Sequence, residues 1–230
     1  MRARNLLPLL AATAMLLAAP PARANGDPLE SVNRRVHGFN QVVRGWVLDP
    51  AAAAWMATTT PGFRAGVANA LGNLGEPVSA AASLAAGEFR LAANAVVRFG
   101  VNTTVGLGGV RDRAADWGYQ RRPFALADAL CSWGVPSGPF LVLPVLGPST
   151  LRDAGATFAT HAALSNTFGS EAVFSWRASD LFVGYAPFAE EVRRIDAEAL
   201  DSYAVHRSAY LQRRAFACPT DRMEEVAEED

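Results

Sequence analysis

Residues 87–115, GEFRLAANAVVRFGVNTTVGLGGVRDRAA, set the tightest limit on what this chain can fold into. Phe89, Ala92/Ala93, Val96, Phe99/Gly100 and Thr103 recur at the spacing of one helix face, which predicts an amphipathic helix. The pattern dissolves into Gly106-Leu107-Gly108-Gly109, where three glycines in four residues free φ and ψ from the restraint of a Cβ. Arg111, Asp112 and Arg113 follow at once. Two readings fit: a core helix closed by a glycine C-terminus, or a hinged hairpin beside an apolar passage.

The start of the chain narrows the choice of compartment. Met1-Arg2-Ala3-Arg4 is a positive n-region, residues 6–19 are apolar, and Ala22-Arg23-Ala24 is a small-x-small cleavage site. Residues 1–24 therefore read as a secretory signal peptide, with Asn25 as the first mature residue. Removing them leaves 18 basic residues against 22 acidic, which argues against a nucleic-acid partner. Half of the chain is apolar, yet the one uncharged run after the signal that exceeds 18 residues, 129–151, is interrupted by four prolines and three glycines. Such a chain builds a generous core or lies against lipid without crossing it. Lysine is absent, which excludes Schiff-base chemistry and lysine-dependent phosphate loops. The two cysteines, Cys131 and Cys218, either bridge in an oxidising compartment or stay as buried thiols.

Along the mature chain, Asp27-Pro28 marks a helix start, and Val32, Val36, Phe39, Val43 and Trp46/Val47 follow at helical spacing. Arg34, Arg35 and Arg44 flank that stripe, with Trp46 and Trp55 near its end. This suits a helix lying in a membrane interface, and equally an ordinary amphipathic core helix. Pro61 opens a second short helix, expected to end in a turn at Gly72-Asn73-Leu74-Gly75-Glu76-Pro77 before the next begins. Residues 124–133 predict another helix. Residues 134–155 hold too many prolines and glycines for a long regular element, so Phe140-Leu141-Val142-Leu143 reads as an extended apolar wedge. Ser149 is the expected cap of a helix carrying Leu151, Ala154, Phe158 and Ala162. Residues 187–199 are helical, Asp201 caps a helix with Tyr203, His206, Tyr210 and Arg213/Arg214, and residues 219–230 form an acidic disordered tail. The expected fold is all-α, one ring-like helical domain over residues 25–218 with proline- and glycine-rich connectors.

Catalytic patterns are missing from the sequence. His37, His161 and His206 are scattered without metal-ligand spacing, no GxSxG elbow occurs, and Gly106-Leu107-Gly108-Gly109 lacks the strand and GK[ST] of a phosphate loop. No enzyme, metal or cofactor is expected.

Several stretches then align in order with one family. They are Asp27-Pro28-Leu29-Glu30 with Asn33-Arg34 and Phe39-Asn40; Gly72-Asn73-Leu74 with Glu76-Pro77; and Arg98-Phe99 with Asn102-Thr103, Gly106, Gly108-Gly109 and Asp112. Trp133-Gly134, Gly138-Pro139, Leu143-Pro144, Gly147-Pro148-Ser149 and Arg152-Asp153 continue the series. Over residues 27–214 the chain resembles the MlaA (VacJ) family, lipoproteins of the Gram-negative outer membrane.

The resemblance implies a ring in the inner leaflet of the outer membrane with an amphipathic channel. Mislocalised phospholipid would pass through it from the outer leaflet towards a periplasmic lipid carrier, MlaC, beside a trimeric porin. The channel or hinge candidates are Phe39, Asn40, Asn102, Thr103, Gly106, Gly108, Gly109, Asp112, Arg152 and Asp153. Helix caps and interhelix hydrogen bonds are the structural reading of the polar members. Trp46, Trp55, Arg34 and Arg44 are the membrane-interface candidates. Family members carry a lipidated cysteine after the signal where this sequence has Ala24-Asn25, so the helices themselves or a porin are expected to hold the protein in the leaflet. A second departure is the alanine-rich run Ala125-Leu126-Ala127-Asp128-Ala129-Leu130-Cys131. A peripheral periplasmic scaffold of the same fold and a secreted lipid-active hydrolase are the competing readings.

Overall fold

A computed structural model describes residues 27–218; the signal peptide, the cleavage site at Asn25 and the acidic tail read from the sequence lie outside the described residues. The chain divides into two compact units, one of residues 27–42, 126–167 and 199–218, the other of residues 43–125 and 168–198. The elements are helices α1 (Glu30–Val43), α2 (Asp49–Thr58), α3 (Pro61–Ala85), α4 (Phe89–Thr104), α5 (Arg113–Asp116) and α6 (Leu126–Ser132). Strands β1 (Phe140–Leu143) and β2 (Gly147–Thr150) follow, then α7 (Leu151–Phe168), α8 (Ser170–Tyr185), α9 (Ala189–Glu198) and α10 (Ser202–Ala217). The fold is all-α apart from one antiparallel β-hairpin. No helix among the described residues is long and apolar enough to cross a membrane.

In the first unit a hairpin is fastened to a helix by two asparagines. The Asn33 amide donates to Phe140 O at 3.0 Å and accepts from Val142 N at 2.8 Å. Two turns on, Asn40 donates to Leu143 O at 2.9 Å and accepts from Val145 N at 2.7 Å. Each side chain thus imitates a neighbouring strand along β1. Val145 has φ of +66°, a conformation costly for a β-branched residue, and its N–H is held by Asn40. Beneath the hairpin, Phe140 and Val142 pack with Tyr203 and Tyr210 of α10, with Val36 and Leu211 against them. The Phe140-Leu141-Val142-Leu143 wedge is therefore a paired strand, Phe140 opposite Thr150 and Leu143 opposite Gly147. Ser149 is in β2, and the hydroxyl that caps α7 is that of Thr150, which accepts from Asp153 N.

The second unit is built on the α3–α4 pair. The expected turn at residues 72–77 is instead the middle of one helix, with Pro77 inside it. An interior proline costs about 3 kcal/mol, and here it sits among buried residues of which Asn73, Glu76 and Ser79 are hydrogen-bonded to Thr103, Arg98 and Phe124 N. A Cβ at Gly72 would meet only the Arg121 guanidinium, 2.6 Å away, the movable end of an exposed side chain. The buried face of α3 is small or polar (Gly66, Gly72, Ser79, Ala82, Ser83), and α4 meets it with Ala92 and Ala95. Trp176 of α8 donates to Leu71 O at 3.1 Å, and Ala52, Ala186 and Ala189 form a small core with Trp55, Phe182 and Tyr185.

Of the apolar stripes read from the sequence, Ala92 and Val36 turn inward, but most of the large residues face away from the core. On α1 the buried residues are Asn33, His37 and Asn40, while Val32 and Phe39 are exposed. On α4 they are Ala92, Ala95, Arg98 and Asn102, while Phe89 is 71% exposed and Val96 also faces outward. Helical backbone does not stop at Asp49-Pro50: it runs on from α1 through a π-helical segment, Arg44–Leu48, into α2.

Asn33→Leu strands two buried backbone groups of β1, each worth about 1–3 kcal/mol when unsatisfied. Chemical unfolding of the detergent-solubilised variant is expected to show a loss of about 2–4 kcal/mol; an unchanged midpoint would show that the asparagine does not hold the hairpin.

Candidate functional site

Arg98 occupies the centre of the second unit. It projects from the small-residue face of α4, is 3% exposed, and donates through Nε to Glu76 Oε1 at 2.7 Å. Its two terminal nitrogens donate to Tyr119 O at 2.6 Å and to Asp112 Oδ2 at 3.1 Å. One turn along α4, Asn102 donates to Asp112 Oδ1 at 3.0 Å and accepts from Ala114 N at 2.9 Å. Asp112 also caps α5 by accepting from Ala115 N. Asn73 of α3 donates to Thr103 Oγ1 at 2.9 Å. Two carboxylates thus share one guanidinium between helices with no bulky side chain at the seam.

The glycine turn is anchored to the same network. Gly109 N donates to Asn102 O at 2.7 Å, and Arg111 N to Gly106 O at 2.9 Å. A Cβ on Gly106 would lie 2.3 Å from Arg111 O, and one on Gly109 would lie 2.6 Å from Asn73 Cβ. Both glycines are there because the backbone passes too close for a side chain. Gly108, at φ of +70°, faces open space, with nothing within 4 Å of where a methyl group would stand. Of the sequence candidates, Asn102, Thr103, Gly106, Gly109 and Asp112 are brought together, around Arg98, Glu76 and Asn73.

Arg152 and Asp153 form a separate cluster in the first unit. Arg152 is fully buried, with Nε 3.0 Å from Asp153 Oδ1 and a terminal nitrogen donating to Val135 O at 3.1 Å. Asp153 also accepts from Tyr210 Oη at 2.6 Å and pairs with Arg214, which reaches Asp128 at 2.7 Å. Cys131 and Cys218 are joined beside this cluster, their Cα atoms 6.1 Å apart. Burial, then the Asp153 charge, pushes the Tyr210 phenol well above its ordinary range. Asn40 is committed to the β-hairpin, and Phe39 projects outward.

The interface candidates divide. Trp46 is 82% exposed within the π-helical segment, whereas Trp55 packs against Phe63 and Phe182, at 5.7 and 6.3 Å between ring centroids. Arg34 pairs with Glu30 and with Asp201, whose carboxyl its hydrogen bond holds down at about 2. Arg44 pairs with Asp196. Sequence reasoning did not single out Glu76, Arg98, Asn33 or Asn73 as site residues. The signal was in view: charged and amide side chains at helical spacing among alanines and glycines, as in Ala92, Ala95, Arg98 and Asn102.

The model of the family described as MlaA lipoprotein matches residues 25–217. The intermembrane phospholipid transport system lipoprotein MlaA of Escherichia coli is 32% identical over 206 residues, covering 84% of this chain and 79% of that protein. Its Haemophilus influenzae counterpart is 32% identical over 213 residues, covering 88% of this chain and 83% of that protein. A solved structure described as the structural basis for maintenance of bacterial outer membrane lipid asymmetry superposes with a TM-score of 0.69 at 28% identity. The match covers 84% of this chain and all of that one.

Breaking the buried triad has a defined cost. Arg98→Met leaves Glu76 and Asp112 without their cation and is expected to destabilise by about 3–5 kcal/mol in denaturant titration. Burial by itself raises the Asp112 pKa, but hydrogen bonds from Arg98, Asn102 and Ala115 N outweigh it, and the carboxyl lies below its ordinary value. That contribution is complete above the unfolded carboxyl pKa, about 4, and is lost as pH falls through the lower folded value. Asp112→Asn is expected to remove this part of the acid sensitivity; a pH–stability curve below about pH 4 parallel to the parent's would contradict it.

Proposed function

This chain belongs to the MlaA lipoprotein family, and on that premise we propose that it is the outer-membrane component of an intermembrane phospholipid transport system. In this reading it channels mislocalised phospholipid from the outer leaflet towards a periplasmic carrier and so maintains lipid asymmetry. One observation supports it above the others. Alanine, glycine and polar side chains fill the helix seams, while Trp46, Phe63, Leu74, Leu84, Phe89, Val96, Phe174 and Phe188 face outward. Large apolar patches on a protein surface mark sites that something else covers. Acyl chains fit them, and small residues at seams are how helices pack where lipid replaces water outside.

Transport of this kind needs no covalent chemistry. A head group crossing bare hydrocarbon loses its hydrogen bonds at a cost of several kcal/mol, and a polar route lowers that barrier in both directions. Net movement then follows from an acceptor downstream, since a passive route biases no equilibrium. In the same proposal the acceptor is MlaC, a trimeric porin stands alongside, residues 1–24 direct export, and residues 25–218 form the working domain. Phe39, Asn40, Asn102, Thr103, Asp112, Arg152 and Asp153 border the polar route or brace it, and movement of the glycine turn would occur at Gly108, between the anchored Gly106 and Gly109. A peripheral scaffold is not favoured, because it gives outward tryptophan and phenylalanine no partner.

Purified protein is expected to float with phospholipid vesicles in a density gradient, and Trp46→Ser or Phe89→Ser to weaken that partitioning about tenfold each, the equivalent of one buried large apolar side chain. Expression in a strain lacking its own MlaA protein should return surface-exposed phospholipid to the parental level. A protein that stays in the aqueous fraction and leaves asymmetry unrestored would overturn the assignment; release of fatty acid or head group from labelled vesicles would favour a hydrolase.

A further inference from the structure

A groove in the first unit lies between one turn of α1 and one face of α10. It encloses about 240 Å³ and is lined by Glu30 and Arg34 on one side, and by Tyr203, Arg207, Ser208 and Gln212 on the other. The α10 residues fall at i, i+4, i+5 and i+9, so a single helix face presents a phenol ring, a guanidinium, a hydroxyl and an amide together.

The two arginines differ in what they have left to offer. Arg34 is already matched by Glu30 and Asp201 at 2.7 Å each, and its guanidinium also stacks over the Tyr203 ring at 4.5 Å. Arg207 has no carboxylate within ion-pairing distance among the described residues. Its guanidinium lies over the Phe140 ring, 5.8 Å from guanidinium carbon to ring centroid, and its Nε is closed to solvent with no hydrogen-bond partner. A permanent cation without a carboxylate partner beside a cavity favours an anionic acceptor, which its terminal nitrogens, rather than the enclosed Nε, would meet. Ser208 and Gln212, joined to each other at 2.9 Å, stand next to it with further hydrogen-bonding capacity. A guanidinium flanked by a hydroxyl and an amide matches the several oxygens of a phosphate better than a single carboxylate.

We propose that the α1–α10 groove is a phosphate-binding site in which Arg207 receives the phosphate of a phospholipid head group or free phosphate, with Ser208 and Gln212 as neighbouring donors. In its lipid form the proposal rests on the transport reading above; in its free-phosphate form it does not. Glu30 within the lining favours a weakly held, exchangeable ligand, as a transit site requires.

The test uses the mature chain in uncharged detergent, titrated calorimetrically with dihexanoylphosphatidylglycerol, with inorganic phosphate and with dihexanoylglycerol, which lacks phosphate. Saturable binding of the phospholipid, competition by phosphate and no response to dihexanoylglycerol are expected. Arg207→Met keeps an unbranched side chain without the charge and should weaken binding at least tenfold, while Arg207→Lys, which keeps charge and loses the fork, should fall between. Unfolding midpoints of both variants guard against loss of fold. Phosphate binding without phospholipid binding would support the site with free phosphate as its ligand and count against its use in lipid transport. No saturable phosphate or phospholipid binding, an affinity unchanged in Arg207→Met, or equal binding of a hexaglutamate peptide would overturn the proposal.

Discussion

Arg98 carries a permanent charge into the seam between two helices, where an unmatched ion costs several kcal/mol. Glu76 from α3 and Asp112 from the segment after α4 both reach it, and the carbonyl of Tyr119 takes a third donor. Much of the second unit follows from that one requirement. Glu76 must face α4, which fixes the rotation of α3 and carries that helix straight through Pro77. Asp112 must return to α4, which demands a sharp reversal within a few residues, and Gly106 and Gly109 supply the close backbone approaches it needs. The carboxylate that binds Arg98 also starts α5.

The first unit solves a related problem with neutral groups. A lone two-stranded hairpin is marginal in water, and β1 is completed by the side-chain amides of Asn33 and Asn40 on a neighbouring helix. At the other end Arg152, Asp153, Arg214 and Asp128 tie α6, α7 and α10 together beside the Cys131–Cys218 link. In both units polar groups take the interior positions that large aliphatic side chains hold in most proteins. The displaced valines, leucines, phenylalanines and Trp46 are on the outside. Such a distribution is costly in water and favourable against hydrocarbon, which agrees with the proposed place of these helices against lipid.

Helical content, the Asp201 cap and the family were legible in the sequence because each is carried by local spacing or by short residue strings. Helix sidedness was not. Periodicity marks which residues share a face, as with Phe89, Val96 and Phe99, but not whether that face meets protein or lipid. The Gly72–Pro77 segment failed for a different reason. Glycine and proline ordinarily punctuate a helix, and only the tertiary pairing of Asn73 with Thr103 and Glu76 with Arg98 overrides them. Residues 140–143 were legible as an extended apolar segment but not as a strand fastened to α1, because the asparagines that complete it are 100 or more residues away.

In the proposed transport role the outward apolar side chains contact acyl chains. Collisional quenching of a variant retaining Trp46 as its only tryptophan, reconstituted in vesicles, tests it directly. Bromine on the acyl chains should quench Trp46 strongly while aqueous iodide leaves it bright; quenching by iodide with no effect of brominated lipid would contradict the account.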